Sequence, residues 1–326
     1  MELNGKSISN KTSILNRVKN SSSLGDIIII LVMCTLLTVA VGNKFLSIDN
    51  LISVCRQFSF YAIMAIGMCC VIITGGIDLS VGSVFAFSGV VTCMAMTDWK
   101  LSVFSSVLIG CISGLAFGFL NGLFITKLEL PPFIATLGTM SIARGLSYGI
   151  TGGYPIGSLP DSFKFIGLGY IANIPTPIVL MIVLAMVFSF FLRKTIAGRW
   201  VYAVGGNEEA ARISGIKVDA IKILVYSLCG LMAAIAGIAT AARLGVGQST
   251  AGQGYELDAI AAVIIGGASV SGGVGNVIGP ILGAAIMGIL RNGLVLMSVS
   301  AYWQQAVIGV VIILAVSFDK LRNKKK

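Results

Sequence analysis

Long apolar runs recur from one end of this 326-residue chain to the other, and only 11% of its residues are charged. Soluble globular proteins carry roughly 25% charged residues. Folded in water, the chain would expose more apolar surface than it could cover, so its natural solvent is a lipid bilayer. A helix that crosses the ~30 Å hydrocarbon layer needs about 20 mainly apolar residues. Such runs are read at 26–42, 52–74, 80–97, 101–126, 133–151, 177–193, 221–243, 257–268, 276–297 and 302–318. The expected fold class is an all-α polytopic membrane protein of about ten transmembrane helices, some short or broken.

The remaining charges test that reading independently. There are 23 Lys and Arg against 13 Asp and Glu, a net +10. In a soluble domain this surplus would suggest nucleic acid, whereas in a membrane protein it marks cytoplasmic loops. With the leader (Lys6, Lys11, Arg17, Lys19) inside and the runs crossing in turn, sixteen basic residues fall inside and four outside. The outside four are Lys44, Lys100, Lys164 and Arg243, while Arg56, Arg144 and Arg291 lie in or beside the runs. Both termini are therefore expected in the cytoplasm, and no nucleic acid is expected as a partner. The layout is a basic segment over 1–25, a transmembrane domain over 26–318 with a large cytoplasmic loop at 194–220, and a basic tail over 319–326. Ala40-Val41-Gly42 weakly resembles a signal cleavage site. Removing the first run would spoil the alternation, so it is expected to stay.

Absences narrow the chemistry. With no histidine, His-ligated metals and Ser-His-Asp catalysis are excluded, and no Gly-x-Gly-Asp motif supports an intramembrane aspartyl enzyme. The seven cysteines form no C-x-x-C pair. Cys34, Cys69, Cys70, Cys111 and Cys229 lie in apolar runs, where a thiol acts as a small hydrophobe. Gly5-Lys6-Ser7 lacks the upstream glycine of a phosphate-binding loop. Ion-coupled carriers place carboxylates well inside the membrane, and this chain has almost none there. No cofactor of its own is expected, and its energy should come from outside.

Small residues organise the helices. Gly110, Gly114, Gly118 and Gly122 form one face of the fourth run, and Gly279 and Gly283 begin a similar face in the ninth. Such faces let backbones approach closely in lipid. A faint internal repeat links Val71–Gly76 with Val263–Gly267, and Ile109–Leu123 with Ile278–Leu294, the plan of many duplicated transporters.

Charges in the wrong solvent are the candidates for function, because one at the bilayer centre costs roughly 2.5–3.5 kcal/mol. Asp78 lies in Gly75–Ser83, where glycines break the chain and Ser80 and Ser83 offer caps. It is either a polar pathway element or a solvated helix cap at the inner side. Glu256 and Asp258 open the eighth run, lining an outer vestibule or capping a helix. Arg144 either lines a pathway or binds carbonyls, and no carboxylate is near it or Arg291 in sequence. In the cytoplasmic loop, Asn207 is a good N-cap, Glu208 and Glu209 favour the positive helix end, and Gly215 is a stop. Ala210 and Ile213 give that short helix an apolar edge. It is either a capped surface helix or a segment for a partner's groove.

Four stretches carry a resemblance: Ala62–Met68 with Gly76–Ser83, Pro132–Leu137, Gly205–Ile216, and Gly252–Val263. In these, and over about 26–318, the chain resembles the membrane permeases of ribose-type sugar ABC importers. The resemblance implies an all-helical inner-membrane subunit, paired with a second permease copy, a cytoplasmic ABC ATPase that binds the ATP and magnesium, and an extracytoplasmic sugar-binding protein. It implies that Gly206, Asn207, Glu208, Glu209, Ala210, Arg212, Ile213 and Gly215 form the segment coupled to the ATPase. Asp78, Ser80, Ser83, Asn121, Arg144 and Asn292 are the implied polar groups of the translocation pathway. Gln248, Tyr255, Glu256 and Asp258 would face the binding protein. The implied cargo is a monosaccharide, ribose-like first, moved by alternating access. An ion-coupled secondary sugar carrier is the alternative.

Overall fold

The computed structural model describes residues 22–323. The leader cations Lys6, Lys11, Arg17 and Lys19, and Lys324–Lys326 of the tail, lie outside the described residues. Fourteen helices are described: α1 (Ser22–Val41), α2 (Asn43–Leu46), α3 (Ile48–Ile73), α4 (Val81–Thr97), α5 (Val103–Lys127), α6 (Pro132–Thr151), α7 (Asp161–Leu168), α8 (Thr176–Lys194), α9 (Ile196–Gly206), α10 (Glu208–Ile213), α11 (Val218–Leu244), α12 (Tyr255–Ile265), α13 (Ile278–Leu296) and α14 (Ala301–Asn323). Between α7 and α8 lies a hairpin of two-residue strands, β1 (Tyr170–Ile171) and β2 (Ile174–Pro175), paired antiparallel.

Six helices are long and apolar enough to cross a membrane, namely α1, α3, α5, α8, α11 and α13. The chain is thus a helical polytopic membrane protein. The run expected at 257–268 differs from expectation. Its helix, α12, has 11 residues, about 16 Å at the helical rise, and is too short for a ~30 Å layer. The rest of that run, Gly266–Ala268, forms the turn that closes the helix, and the irregular segment 245–254 precedes it. Outside, the loop expected at 152–176 contains α7 and the hairpin. The loop 194–220 folds into two helices rather than one, with Thr195 capping α9 by accepting from Gly198 N.

The centre of the fold is α3, whose residues Ser59–Ile73 are all buried. It touches α8, α11, α12 and α13, so its apolar surface meets protein on every side. By contrast, α1 is the most apolar span, with mean hydropathy 2.6 against 1.6 for α3, yet only 6% of its span is buried against 83% for α3. Its apolar surface is left for lipid.

The glycine face of α5 sets its contact with α4 and α11. A Cβ at Gly118 would overlap Tyr226 O and stand 2.8 Å from Ser227 Cα, and one at Gly122 would stand 2.6 Å from Ile223 Cα. A Cβ at Gly110 would strike Thr92 on α4. The ninth-run glycines act likewise, with Gly279 set on the backbone of Gly266 and Gly283 on that of Ala262. Only hydrogen fits where backbones pass this closely, and dispersion contacts hold the pairs.

The helices α3 and α12 end alike, in a turn that also closes α10 and α13. Gly75 N donates to Ile72 O and Gly76 N to Val71 O; Gly267 N donates to Ile264 O and Ala268 N to Val263 O. The pivots Gly75 (φ 78°) and Gly267 (φ 84°) take the left-handed conformation that closes a helix end in this way. The two turns also meet, since Gly273 N donates to Ile73 O over 2.8 Å.

Gly118→Val should splay α5 from α11 and cost about 1–3 kcal/mol of overpacking. Gly138→Ala, where a Cβ would meet nothing within 4 Å, should change stability by less than about 1 kcal/mol. Thermal unfolding of the two detergent-solubilised variants checks the contrast.

Candidate functional site

Two irregular segments enter the helical body, and the sequence-predicted polar residues gather around them. The first, Thr74–Ser80, connects the end of α3 to the start of α4. Asp78 is fully buried within it, so the solvated-cap reading does not hold. Its carboxylate accepts from Ser80 N at 2.8 Å and from the Ser80 hydroxyl at 2.6 Å. Asn121 on α5 donates to Ser80 Oγ at 2.8 Å and lies 3.4 Å from Asp78 Oδ1. Thr139 on α6 then donates to Asn121 Oδ1 at 2.5 Å. Capping therefore runs opposite to the expected sense: Ser80 makes no side-chain cap on α4, and Asp78 takes its hydroxyl instead. Ser83, one turn on, is also buried.

The second segment, 245–254, leads from α11 into α12. Its Gly252 lies against Gly82 at the start of α4, where a Cβ on Gly252 would stand 2.6 Å from Gly82 O. Arg144, past the midpoint of α6, holds this crossing. Its guanidinium donates to Ser249 O, to Ala251 O at 2.8 Å and to Gly82 O at 3.3 Å. Of its two expected roles, carbonyl binding is what the geometry shows. Two of those carbonyls, of Ser249 and Ala251, lie in irregular backbone that no helix satisfies, and a guanidinium can serve several at once. Gln248 on the same segment is exposed, whereas Tyr255 and Glu256 are half-buried.

Asp258 and Arg291 find each other across α12 and α13, forming an ion pair of 2.6 Å with Asp258 fully buried. The Arg291 guanidinium also lies 5.8 Å and 5.9 Å from the ring centres of Tyr61 and Tyr255, a cation–π arrangement. Tyr255 itself stands edge-on to Tyr61 and Phe85. The N-cap of α12 is Gly254, which has no side chain to offer, and the Glu256 carboxylate meets the backbone N–H groups of Gly254 and Glu256 there. Asn292 is not with the Asp78 group. It exchanges amide hydrogen bonds with Asn50 near the other end of α3, at 2.8 Å and 3.2 Å.

The short helix α10 has the expected start, with Asn207 Oδ1 accepting from Ala210 N at 2.9 Å, and it ends before Gly215. Glu208 pairs with Arg212 at 3.4 Å and with Lys222 at 2.7 Å. Asp219 pairs with Lys127 at 2.9 Å and Arg212 at 3.7 Å. These pairs tie α10 to the ends of α5 and α11. Gly206, at the end of α9, adjoins this helix, and Glu209 is exposed. Ile213 is 82% exposed, an apolar side chain with no cover on this chain.

Thr139, Tyr226 (which donates to Ile77 O at 3.3 Å) and the carbonyls of 249–251 were missed by sequence reasoning. A threonine in an apolar helix and a backbone carbonyl carry no signal of their own.

Residues 50–316 match the family described as branched-chain amino acid transport system, permease component. The chain is 44% identical to the ribose import permease protein RbsC of Escherichia coli K12, over 95% of each chain. It is 42% identical to RbsC of Bacillus subtilis over 92% of each. It is 34% identical to the xylose transport system permease protein XylH of Haemophilus influenzae, over 92% of this chain and 96% of the relative. No solved structure matches.

Arg144→Met should leave the carbonyls of Ser249 and Ala251 without this donor, each at a cost of about 1–3 kcal/mol if it stays dry. Hydrogen exchange over 246–254 should quicken in that variant, whereas unchanged protection would show that the arginine does not hold the segment.

Proposed function

The chain belongs to the family of branched-chain amino acid transport system permease components, and we propose that it passes a monosaccharide, ribose or a close relative, from a binding protein to the cytoplasm by alternating access. As a permease subunit of an ABC importer it is a multi-pass inner-membrane protein that leaves ATP hydrolysis to a partner subunit. It works with that ATPase and with an extracytoplasmic binding protein. The observation that carries the cargo is the near-full-length identity of 44% with a ribose import permease. Nothing in the family or the relatives named above supports the ion-coupled alternative.

On this reading the crossings number about ten once α4, α6, α14 and the broken passage of 245–254 with α12 join the six long spans. Two copies of the chain pair, and the ATP and magnesium sit in the ATPase. The helix α10 is the coupling element, because it is capped, ion-paired to α5 and α11, and offers Ile213 to a groove. Closure of the ATPases pushes on Gly206–Gly215, and the ion pairs pass that displacement to the bundle. The polar groups Asp78, Ser80, Ser83, Asn121, Arg144 and Asn292 belong to the elements that rearrange along the pathway. Support comes from the first four being linked in or beside one broken segment, and from Arg144 joining that segment's exit to the other. The 245–258 stretch, with Gln248, Tyr255, Glu256 and Asp258, serves the side of the binding protein.

Proteoliposomes holding the permease, its ATPase and its binding protein should take up ribose with ATP, and should do so with proton and sodium gradients collapsed. Uptake that needs a gradient and no ATPase would overturn the proposal. Charge reversal at both Glu208 and Arg212 should uncouple ATP hydrolysis from uptake while membrane insertion is kept. Unchanged transport in that variant would remove α10 from the coupling role.

A further inference from the structure

Three stretches far apart in the sequence meet at one point. The first is Ile73, the last residue of α3 before the irregular segment Thr74–Ser80. The second is the turn 269–276, between α12 and α13. The third is the end of α9, Gly205–Gly206. The Ile73 carbonyl, which the end of its helix leaves without an intrahelical partner, accepts from Gly273 N. Gly205 is seated on that same carbonyl, where a Cβ would overlap Ile73 O and stand 2.7 Å from Gly273 N. From the turn, a Cβ on Gly272 would stand 2.7 Å from Gly205 O, and one on Gly273 3.1 Å from Gly206 Cα. One helical turn before Gly205, Tyr202 donates its hydroxyl to Gly275 O at 2.9 Å.

Backbone makes this contact, and that decides how it behaves. A side chain caught between two elements can change rotamer and absorb a small shift. Gly205 has none to move, so an advance of α9 meets Ile73 and the turn directly. The helix α9 is held against the core by buried Val201 and Val204, and only Asn207 separates it from α10. By contrast, the pairs of Glu208 with Arg212 and Lys222 join long, partly exposed side chains that can stretch. A stiffer route from α10 into the bundle therefore runs through α9.

We propose that Gly205 and Tyr202 are positioning residues of the transport cycle, carrying the displacement of α10 into Thr74–Ser80 and the 269–276 turn together. The proposal rests on α10 being the coupling element. Gly205 transmits a push, because its backbone abuts Ile73 and Gly273. Tyr202 transmits a pull, because its hydrogen bond draws Gly275 after α9. The segment that holds Asp78 and the turn that follows α12 would then move in step, although they belong to opposite halves of the sequence.

The test is hydrogen exchange on the assembled complex of permease, ATPase and binding protein in nanodiscs, with and without ATP and orthovanadate to hold the ATPases closed. In the wild-type complex closure should alter exchange over 207–216, 74–80 and 269–276. In Tyr202→Phe and in Gly205→Ala the response over 207–216 should remain, while that over 74–80 and 269–276 falls several-fold. ATP hydrolysed per ribose taken up should rise several-fold in the same variants. Tyr202→Phe, which adds no atom, should keep the wild-type unfolding temperature and decides the matter alone if Gly205→Ala does not fold. Arg199→Gln, on the exposed side of α9, should respond as the wild type does. A full response over 74–80 and 269–276 in a folded Tyr202→Phe complex would overturn the proposal, as would an equal loss in Arg199→Gln. No response over 207–216 in the wild type would instead overturn the reading of α10 on which it stands.

Discussion

Inside hydrocarbon a peptide group has no water to bond, so every N–H and C=O must be satisfied by the protein itself. Most of this chain meets that demand with helices. The two exceptions, Thr74–Ser80 and 245–254, survive because other groups take over the missing bonds. Asp78 accepts the Ser80 N–H, and Arg144 donates to the carbonyls of Gly82, Ser249 and Ala251. The rest of the arrangement follows from keeping those segments covered. The glycines on α5 bring it close against α4 and α11, beside those segments. A permease needs backbone that can rearrange, and this is where the chain has it.

The ionic contacts divide the molecule by solvent. Asp258–Arg291 is buried and carries cation–π contacts with two tyrosines, so removing one partner would leave an uncompensated charge in a dry place. The pairs of Glu208, Arg212, Asp219, Lys127 and Lys222 are partly exposed, and each such pair contributes about 1 kcal/mol or less. They suit a joint that must move more than one that must stay fixed. Rigid pairing is thus kept in the bundle and adjustable pairing at the face where α10 lies.

Several features of the site were legible because they are local. The Asn207 cap, the two glutamates of the first turn and the stop at Gly215 lie within one short stretch, and the helix formed between them. The Gly-Gly breaks after α3 and α12 were likewise visible, as were the close-packed faces at Gly114–Gly122 and Gly279–Gly283. Other features were misread. The eighth run was read as a short span over 257–268, and its helix is shorter still, stopping at the Gly266 cap. Asn292 was grouped with Asp78 and Asn121, and it pairs with Asn50 instead.

The amino-acid sequence by itself determined that the chain lives in a membrane and where its long apolar helices lie. Each of these is a sum over neighbouring residues of the free energy of leaving water. Hydropathy cannot tell lipid from protein as the receiving medium, so only the tertiary structure decided that α3 is the buried centre while the more apolar α1 faces outward. Only the tertiary structure, too, paired Arg291 with an aspartate 33 residues away and Arg144 with a carbonyl 107 residues away. Carbonyls occur at every residue, and which of them meets a guanidinium depends on how the helices cross.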